Sequence, residues 1–307
     1  MVKIDKIQEL RGHSGPIYAL LEGRKAGFVL TASGDRFIAE WNLTGLNENK
    51  EAEPSKFSIQ LEQPCFSTLY LEEEGFLLAG NSEGGIHVID LSEGKEARLL
   101  KVHEKGVFAF CHIPEENMII AGGGNGFLSA WEIGTWKLLR HFQISSSKVR
   151  SLLYTDNQVF VGSGDGFLRV FDLPWLNETH TISGHEGGIY SFAKHPDKPI
   201  LISGGKDAFL RFWKTDTLER IREIPAHNFG IYSIVFAPDG KHAATASRDK
   251  TIKIWDAQTF DSPMRIERPE FSAHTHSVNT LVWLKEPNLL VSAGDDRRLN
   301  IWKITNV

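Results

Sequence analysis

The sequence predicts an all-β protein, a seven-bladed β-propeller built from four-stranded antiparallel blades. One nine-residue frame recurs seven times along the 307 residues, and short runs of β-branched and aromatic residues surround each copy. Turn residues such as Pro-Asp-Gly at 238–240 and Arg-Asp-Lys at 248–250 separate these runs. Four strands that repeat about every 42 residues are typical of a propeller blade.

The frame places an Asp six residues before a large aromatic residue. It is complete at Asp35, Asp165, Asp207, Asp249 and Asp296, and Glu83 and Asn125 occupy the Asp position in two further copies. Successive Asp positions lie 40–48 residues apart. A His stands 22 residues before this position in five copies, at His13, His103, His185, His227 and His274. The shared register indicates equivalent positions in equivalent blades.

Four repeats also carry a Ser or Thr before the Asp and a Trp after it. The sets are His13, Thr31, Asp35 and Trp41; His185, Ser203, Asp207 and Trp213; His227, Thr245, Asp249 and Trp255; and His274, Ser292, Asp296 and Trp302. Hydrolase triads use the same residue types, but a catalytic site is needed once and this set recurs four times. We therefore interpret the sets as buried structural tetrads and assign no catalytic residue.

The remaining three repeats depart from this set. The repeats of Glu83 and Asp165 lack the matching His and Trp, so we expect apolar packing alone to hold those blades. The repeat of Asn125 keeps a His and a Trp but has Ala121 in the hydroxyl position, which predicts an incomplete network.

These frames resemble WD repeats, similar in organisation to the β subunit of heterotrimeric G proteins and to scaffold propellers. The resemblance covers residues 12–304, with a Gly-His pair at 12–13 and at 184–185 and a Trp-Asp pair at 255–256. It implies one domain over residues 1–307, in which an N-terminal strand at about 2–11 forms the outer strand of blade seven. Residues 6–13 align without a gap on residues 220–227, which favours that pairing.

Composition and charge argue against several classes of partner. The 34 Lys and Arg residues against 39 Asp and Glu give a net charge of −5, which supplies no general attraction to nucleic acid. Cys65 and Cys111 lie in separate apolar runs and are expected to be buried, reduced thiols of a cytoplasmic protein. No apolar run approaches the length of a membrane helix.

Metal and cofactor sites receive little support from the sequence, and we expect neither. His274 and His276 are the only close pair that involves a register His, and two ligands without a third are weak evidence for zinc. Gly122–Gly124 lacks the Lys-Ser/Thr that follows a phosphate-binding loop and is interpreted as part of a hairpin.

The resemblance also implies a partner-binding face, formed by the loops before the inner strands and the turns between the second and third strands. Transferred by register, its residues are Tyr18, Phe66, Phe108, Lys148, Arg150, Tyr190, Lys206, Tyr232, Arg248, Asn279 and Asp295. Aromatic and Arg side chains are frequent interface hot spots. The alternative is that these rings pack between neighbouring blades and bind nothing.

The function hypothesis is a non-catalytic scaffold that binds a peptide or protein on this face. A second hypothesis is an enzyme or small-ligand receptor that uses the mouth of the central channel. A third is a subunit of a larger assembly that uses its rim for permanent contacts.

Overall fold

The computed structural model describes residues 2–46 and 53–306 of the chain. Across these residues the strands form seven four-stranded antiparallel sheets, which confirms the predicted all-β propeller with seven blades. The chain divides into two compact units. The first comprises Met1–Pro64, His195–Lys198 and His227–Val307, and the second comprises Cys65–Lys194 and Pro199–Ala226.

The first unit contains blades one, six and seven. Blade seven takes its outer strand from the N-terminus, β1 (Val2–Arg11). Blade one consists of β2 (Ile17–Glu22), β3 (Phe28–Ser33), β4 (Phe37–Asn42) and β5 (Glu53–Gln60).

The second unit contains blades two to five. Blade two consists of β6 (Cys65–Leu71), β7 (Phe76–Asn81), β8 (Gly85–Asp90) and β9 (Lys95–Lys101), and blade three of β10 (Val107–Ile113), β11 (Met118–Gly123), β12 (Phe127–Glu132) and β13 (Leu138–Gln143). Blade four consists of β14 (Val149–Thr155), β15 (Gln158–Ser163), β16 (Phe167–Phe171) and β17 (Glu178–Ser183), and blade five of β18 (Ile189–Lys194), β19 (Ile200–Gly205), β20 (Phe209–Lys214) and β21 (Arg220–Pro225).

Two blades of the first unit follow in the chain. Blade six consists of β22 (Ile231–Phe236), β23 (His242–Ser247), β24 (Ile252–Asp256) and β25 (Met264–Ile266), and blade seven of β26 (Val278–Leu284), β27 (Leu289–Gly294), β28 (Arg298–Asn306) and β1. No helix in the described part of the chain is long and apolar enough to cross a membrane.

The second strand of each blade lies deepest in the core. All six residues of β11, of β23 and of β27 are buried, which explains their small and β-branched composition. In the first unit Val29, Trp41 and Val291 belong to one apolar cluster. In the second unit Leu78 and Ile119 share another, so neighbouring sheets in each unit are joined by interdigitated side chains.

The N-terminal strand completes blade seven, as the sequence predicts. β1 pairs antiparallel with β28 from Val2 opposite Asn306 to Arg11 opposite Arg298, with a bulge between Lys6 and Gln8. Its side chains enter the core of the first unit, since Ile4 and Leu10 are both buried. The strand thereby covers an edge that would otherwise expose backbone hydrogen-bonding groups.

Inner strands carry one irregularity that recurs in all seven blades. In each, the register between the first and second strands shifts at a β-bulge, which lies at 17–19, 65–67, 107–109, 149–151, 189–191, 231–233 and 278–280. A bulge adds one residue to a strand and redirects its side chain. The same position of every blade is therefore set apart from the regular alternation of the strand.

Leu10→Ala tests the role of the N-terminal strand. We expect the free energy of unfolding, measured by urea denaturation, to fall by about 2–5 kcal/mol because a buried side chain is truncated. Deletion of residues 2–10 should lower it further by exposing the edge of β28. The control is Ile7→Ala in the same strand, where the side chain is 37% exposed and the loss should be small. An unchanged transition after the deletion would contradict the proposed role.

Candidate partner-binding site

Four blades contain the same buried hydrogen-bonded tetrad. In these blades the His Nδ1 lies 2.8–3.0 Å from the Asp carboxylate and the His Nε2 lies 2.7–2.8 Å from the Ser or Thr hydroxyl. The Trp indole N–H donates to that hydroxyl over 2.9–3.0 Å. We assign the ring proton to Nδ1, because an ionised carboxylate only accepts. Nε2 then accepts the hydroxyl proton.

Ionisation within the tetrads follows from burial and these bonds. Burial raises the pKa of Asp207 and of Asp249, but the hydrogen bonds from His185 and His227 outweigh it, so both pKa values lie well below the ordinary range. Burial lowers the pKa of His185 and of His227. At neutral pH each pair is thus a carboxylate beside a neutral imidazole, with both partners committed to internal bonds.

The Asp also ties the loop before each of these blades to the turn between its second and third strands. Its carboxylate accepts a backbone N–H from the residue after the His, over 2.8–3.0 Å in all four tetrads. The residue before the Asp donates its own backbone N–H to the same loop. The pairs are Gly34 to Pro16, Gly124 to Gly106, Gly164 to Lys148, Lys206 to Gly188, Arg248 to Gly230 and Asp295 to Ser277. The loop and the turn are therefore fixed to one another by backbone bonds in six blades.

Blade four is not held by apolar packing alone, and that expectation was wrong. Asp165 accepts hydrogen bonds from Ser145 and from the guanidinium of Arg169, each over 2.7 Å. A further guanidinium N–H donates to Ser163. Burial raises the pKa of Asp165, but these bonds outweigh it and hold the pKa well below its usual range. Arg169 thus donates to the Asp of this blade, as the His does in the tetrads.

Blade two departs from the expectation in the same way. His87 lies between Asn81, at 3.0 Å from Nε2, and Glu96, at 2.6 Å from Nδ1. The Asn81 side-chain oxygen accepts the backbone N–H groups of Glu83 and Gly85. Polar groups again pin the turn, because a buried backbone N–H needs an acceptor whatever side chain supplies it.

One sequence position supplies the side chains of these alternative networks. It lies four residues after the Asp position, on the third strand, and holds His87, Ser129, Arg169 and Arg211 in blades two to five. Because its residue type changes from blade to blade, a search for identical residues passes over it.

Blade three combines a substitute hydroxyl with a missing acceptor. Ser129 replaces the hydroxyl absent at position 121, since His103 Nε2 lies 2.8 Å from its Oγ and the Trp131 indole N–H donates to it. Among the described residues, His103 Nδ1 and the side-chain oxygen of Asn125 are buried without a hydrogen-bond partner. Burial and the neighbouring His141 lower the pKa of His103 to about 4.

Seven of the eleven residues predicted for the partner-binding face occupy the seven bulges. They are Tyr18, Phe66, Phe108, Arg150, Tyr190, Tyr232 and Asn279, and each is half-buried. We name them the bulge residues. Equivalent residues of seven blades thus leave the strand alternation with part of each side chain exposed.

In the second unit the bulge residues contact one another through a chain of rings and cations. Phe66 and Phe108 stack with centroids 5.1 Å apart. The Arg150 guanidinium lies 5.4 Å from the Phe108 centroid and 4.9 Å from that of Tyr190, and Lys148 Nζ lies 4.9 Å above Phe108. We name these five residues the aromatic–cation ladder. Cation–π contacts of this kind contribute about 0.5–1 kcal/mol each at exposed sites.

In the first unit the bulge residues Tyr18 and Asn279 interact with an acidic residue, Asp295. Asn279 donates to Asp295 over 2.8 Å and to the backbone carbonyl of Ile17 over 3.0 Å. Burial and the Asp295 carboxylate raise the pKa of Tyr18. The exposed Arg248 lies 5.9 Å from the Phe229 ring centroid.

Small residues before the Asp position leave neighbouring rings accessible. A Cβ at Gly124 would lie 2.9 Å from the Phe108 ring, and one at Gly34 would lie 3.2 Å from the Tyr18 ring. Lys206 occupies the equivalent position of blade five and is exposed. Within the described ranges, no group of three His, Cys, Asp or Glu side chains is arranged to hold a metal ion.

Comparisons with known proteins place WD repeats in this chain. The family model "WD domain, G-beta repeat" matches residues 176–214, 218–256 and 267–303. The chain is 25% identical to "Guanine nucleotide-binding protein subunit beta" of Oryza sativa subsp. japonica, over 61% of this chain and 52% of that protein. It is 28% identical to "Myosin heavy chain kinase C" of Dictyostelium discoideum, over 38% of this chain and 15% of that protein.

A third relative is "WD repeat-containing protein 90" of Xenopus tropicalis. It is 22% identical over 58% of this chain, which corresponds to 11% of that protein. The matched regions thus span between about a tenth and about half of the length of these curated relatives. The prediction that the repeats resemble those of G-protein β subunits is confirmed.

Asp249→Ala tests the structural role of the tetrads. We expect the free energy of unfolding to fall by about 1–3 kcal/mol, because buried His227 and a backbone N–H lose their acceptor. Urea denaturation at neutral pH measures this loss. Asp216→Ala is the control, since Asp216 is exposed and bonds only the adjacent backbone. Equal stability of the two variants would exclude the structural interpretation.

Asn125→Asp should stabilise blade three. A carboxylate at this position gives the Nδ1–H of His103 an acceptor, which is worth about 1–3 kcal/mol at neutral pH. Urea denaturation measures the gain, and NMR titration of His103 should show a raised pKa. The prediction fails if neither quantity changes.

The pH dependence gives this prediction an internal control. In the native chain His103 titrates near 4 when folded and near 6.5 when unfolded, so its unfolded form binds a proton first and stability falls as the pH drops from about 6.5 to about 4. In the Asn125→Asp variant the folded pKa rises toward the unfolded value. The stability lost over this pH interval should therefore shrink.

Proposed function

We propose that this chain, a seven-bladed β-propeller that carries WD repeats, is a non-catalytic scaffold that binds a peptide or protein partner through its bulge residues. The observation that carries the proposal is the repetition of one local device. Every blade has a β-bulge at the same position of its inner strand, and the side chain at the bulge is half-buried. Five of the seven bulge residues are aromatic. Bulges of this kind are features that redirect a side chain, and regular strands do not need them.

The chemistry of the bulge residues supports partner binding. Tyr and Arg are enriched among interface hot spots because they combine large contact areas with specific polar groups. The Phe66–Phe108 stack and the Arg150 contacts hold these side chains in place before any partner arrives. A surface ordered in advance loses less conformational entropy when it binds.

The non-catalytic part of the proposal is supported by the tetrads. Their His, Asp and hydroxyl groups resemble a hydrolase set, yet each hydroxyl contacts both His and Trp and each carboxylate accepts from loop backbone. The hydroxyls are also fully buried, as at Ser203 and Thr245, so a substrate cannot reach them as nucleophiles.

The relatives support a role in assembly. The rice relative is by its name a subunit, and the chain aligns with 52% of it. The name of the Dictyostelium relative assigns kinase activity to a protein of which only 15% aligns, so this activity is not carried over. The proposal extends to a cytoplasmic location, which the two free, buried thiols support: burial raises the pKa of Cys65 and of Cys111 to about 12.

Partner capture tests the proposal. The tagged chain is used to retrieve proteins from its native cell extract, and mass spectrometry identifies those enriched. The variant Tyr190→Ala, Tyr232→Ala and Arg248→Ala should lose the specific partners by at least about tenfold, because hot-spot truncation costs about 2 kcal/mol or more. Its thermal unfolding should stay close to that of the native chain.

Trp175→Ala is the matched control. Trp175 is the most exposed large apolar side chain described, at 72%, and lies in the connection between β16 and β17, away from the bulges. If Trp175→Ala loses the partners and the triple variant retains them, the proposal is wrong. The chain would then be a subunit that binds its partners through the rim. Turnover of a small molecule that survives the triple variant would favour an enzyme.

A further inference from the structure

The basic residues of the second unit fall into two groups. One group is paired with carboxylates and includes Arg169 with Asp165, Arg211 with Asp207 and Glu223, and Lys194 with Asp156. In the described part of the chain, Lys105, Lys148 and Arg150 form no ion pair. Glu104 is adjacent to Lys105 in the sequence, and neither Glu104 nor Glu186 forms an ion pair with these three residues.

The three unpaired cations act on one another. Burial lowers the pKa of Lys148, and the like charges of Arg150 and Lys105 lower it further. This shift indicates a local excess of positive charge beside half-buried rings. Unlike charge would be attracted more strongly here than at a fully solvated surface, because the surrounding rings displace water.

The ladder also gives Arg150 a defined orientation. Rings of Phe108 and Tyr190 lie within 5.4 Å of its guanidinium. The N–H groups of a guanidinium lie in its plane, so a side chain held against rings can still donate two parallel hydrogen bonds to one carboxylate. Lys148, held over Phe108 at 4.9 Å, adds a second cation. The arrangement combines two donors of positive charge with apolar ring surface.

We propose that the aromatic–cation ladder binds an acidic peptide segment, one that carries at least two Asp or Glu carboxylates beside an apolar side chain. The inference rests on the proposed function and specifies its partner. One carboxylate accepts from Arg150, the other neutralises Lys148, and the apolar side chain packs on the Phe66–Phe108 stack. A nucleic acid is a poorer occupant, since the chain as a whole carries a net charge of −5.

Selection from a random peptide library displayed on phage tests the inference without a known partner. The native chain should enrich peptides rich in Asp and Glu. Enriched peptides without an excess of acidic residues would overturn the inference and leave the scaffold proposal standing. Failure to enrich any peptide would contradict the proposed function for peptides and the inference with it. A preference that appears only when the displayed peptides are phosphorylated would show that the site binds phosphate and would overturn the inference for carboxylates.

A selected peptide then allows a direct measurement of the charge contacts. Lys148→Glu should weaken its binding by at least about tenfold and Arg150→Lys by a smaller factor, since the latter keeps the charge and loses the two-pronged geometry. Lys137→Glu makes the same charge change in the connection after β12, at the other end of that strand from the turn at Gly124. It should leave the affinity unchanged. Equal weakening by Lys137→Glu and Lys148→Glu would reduce the effect to net charge and overturn the site.

Asp-to-Asn and Glu-to-Gln changes in the peptide keep the test independent of protein folding. The neutral peptide should bind the native chain at least about tenfold more weakly, and added salt should remove most of the difference by screening. A neutral peptide that binds as tightly as its acidic parent would refute the proposed recognition of carboxylates.

Discussion

The structure depends on one constraint: the loop that enters an inner strand must be fixed to the turn between the second and third strands, as it is in six blades. Both segments bring backbone N–H groups to the end of a sheet, where no strand can pair them. Four blades do this with the Asp of a tetrad, and blade four with Asp165, which accepts a hydrogen bond from Ser145 of the loop. In blade two Asn81 accepts backbone N–H groups of the turn itself. The chemistry varies because the requirement is for an acceptor, and several side chains supply one.

This constraint also explains where the candidate site lies. The fixed loop leads directly into the bulge, so the residue at the bulge inherits a rigid backbone on its N-terminal side. In blade five the carboxylate of Asp207 accepts the backbone N–H of Glu186, four residues before Tyr190. Side chains presented from such a position contact one another, as Arg150 contacts Tyr190. The hydrogen bonds of the Asp thus hold the backbone from which the half-buried bulge residues are presented.

Much of the fold could be predicted from the sequence because its signals repeat. The spacing of the Asp positions gives the number of blades, and the alignment of residues 6–13 on 220–227 gives the strand that completes blade seven. The register even identifies Arg150 in blade four, where the connection between the first and second strands is shorter. Repetition allows a position to be located in one blade from its appearance in the others.

The sequence could not reveal features that belong to geometry or to changing residue types. The bulges have no residue signature, since Asn279 and Phe66 occupy the same backbone position. The networks of blades two and four escape detection because His87 and Arg169 replace the expected residues on a different strand. Whether one side chain can replace another depends on their positions in the folded chain, and only folding brings these groups together.

Two adjacent residues of the same turn have different surroundings: the Asp is hydrogen-bonded inside the blade, and the residue before it has an exposed side chain. Asp207 and Asp249 point into hydrogen-bonded networks, whereas the preceding Lys206 and Arg248 are exposed and give a hydrogen bond to the loop through the backbone N–H. Because that backbone bond is independent of the side chain, the preceding position accepts Gly, Lys, Arg or Asp without loss of the turn. The charge of the face can therefore differ from blade to blade while the scaffold beneath it stays the same, which is why Asp295 and Lys206 occupy equivalent positions with opposite charge.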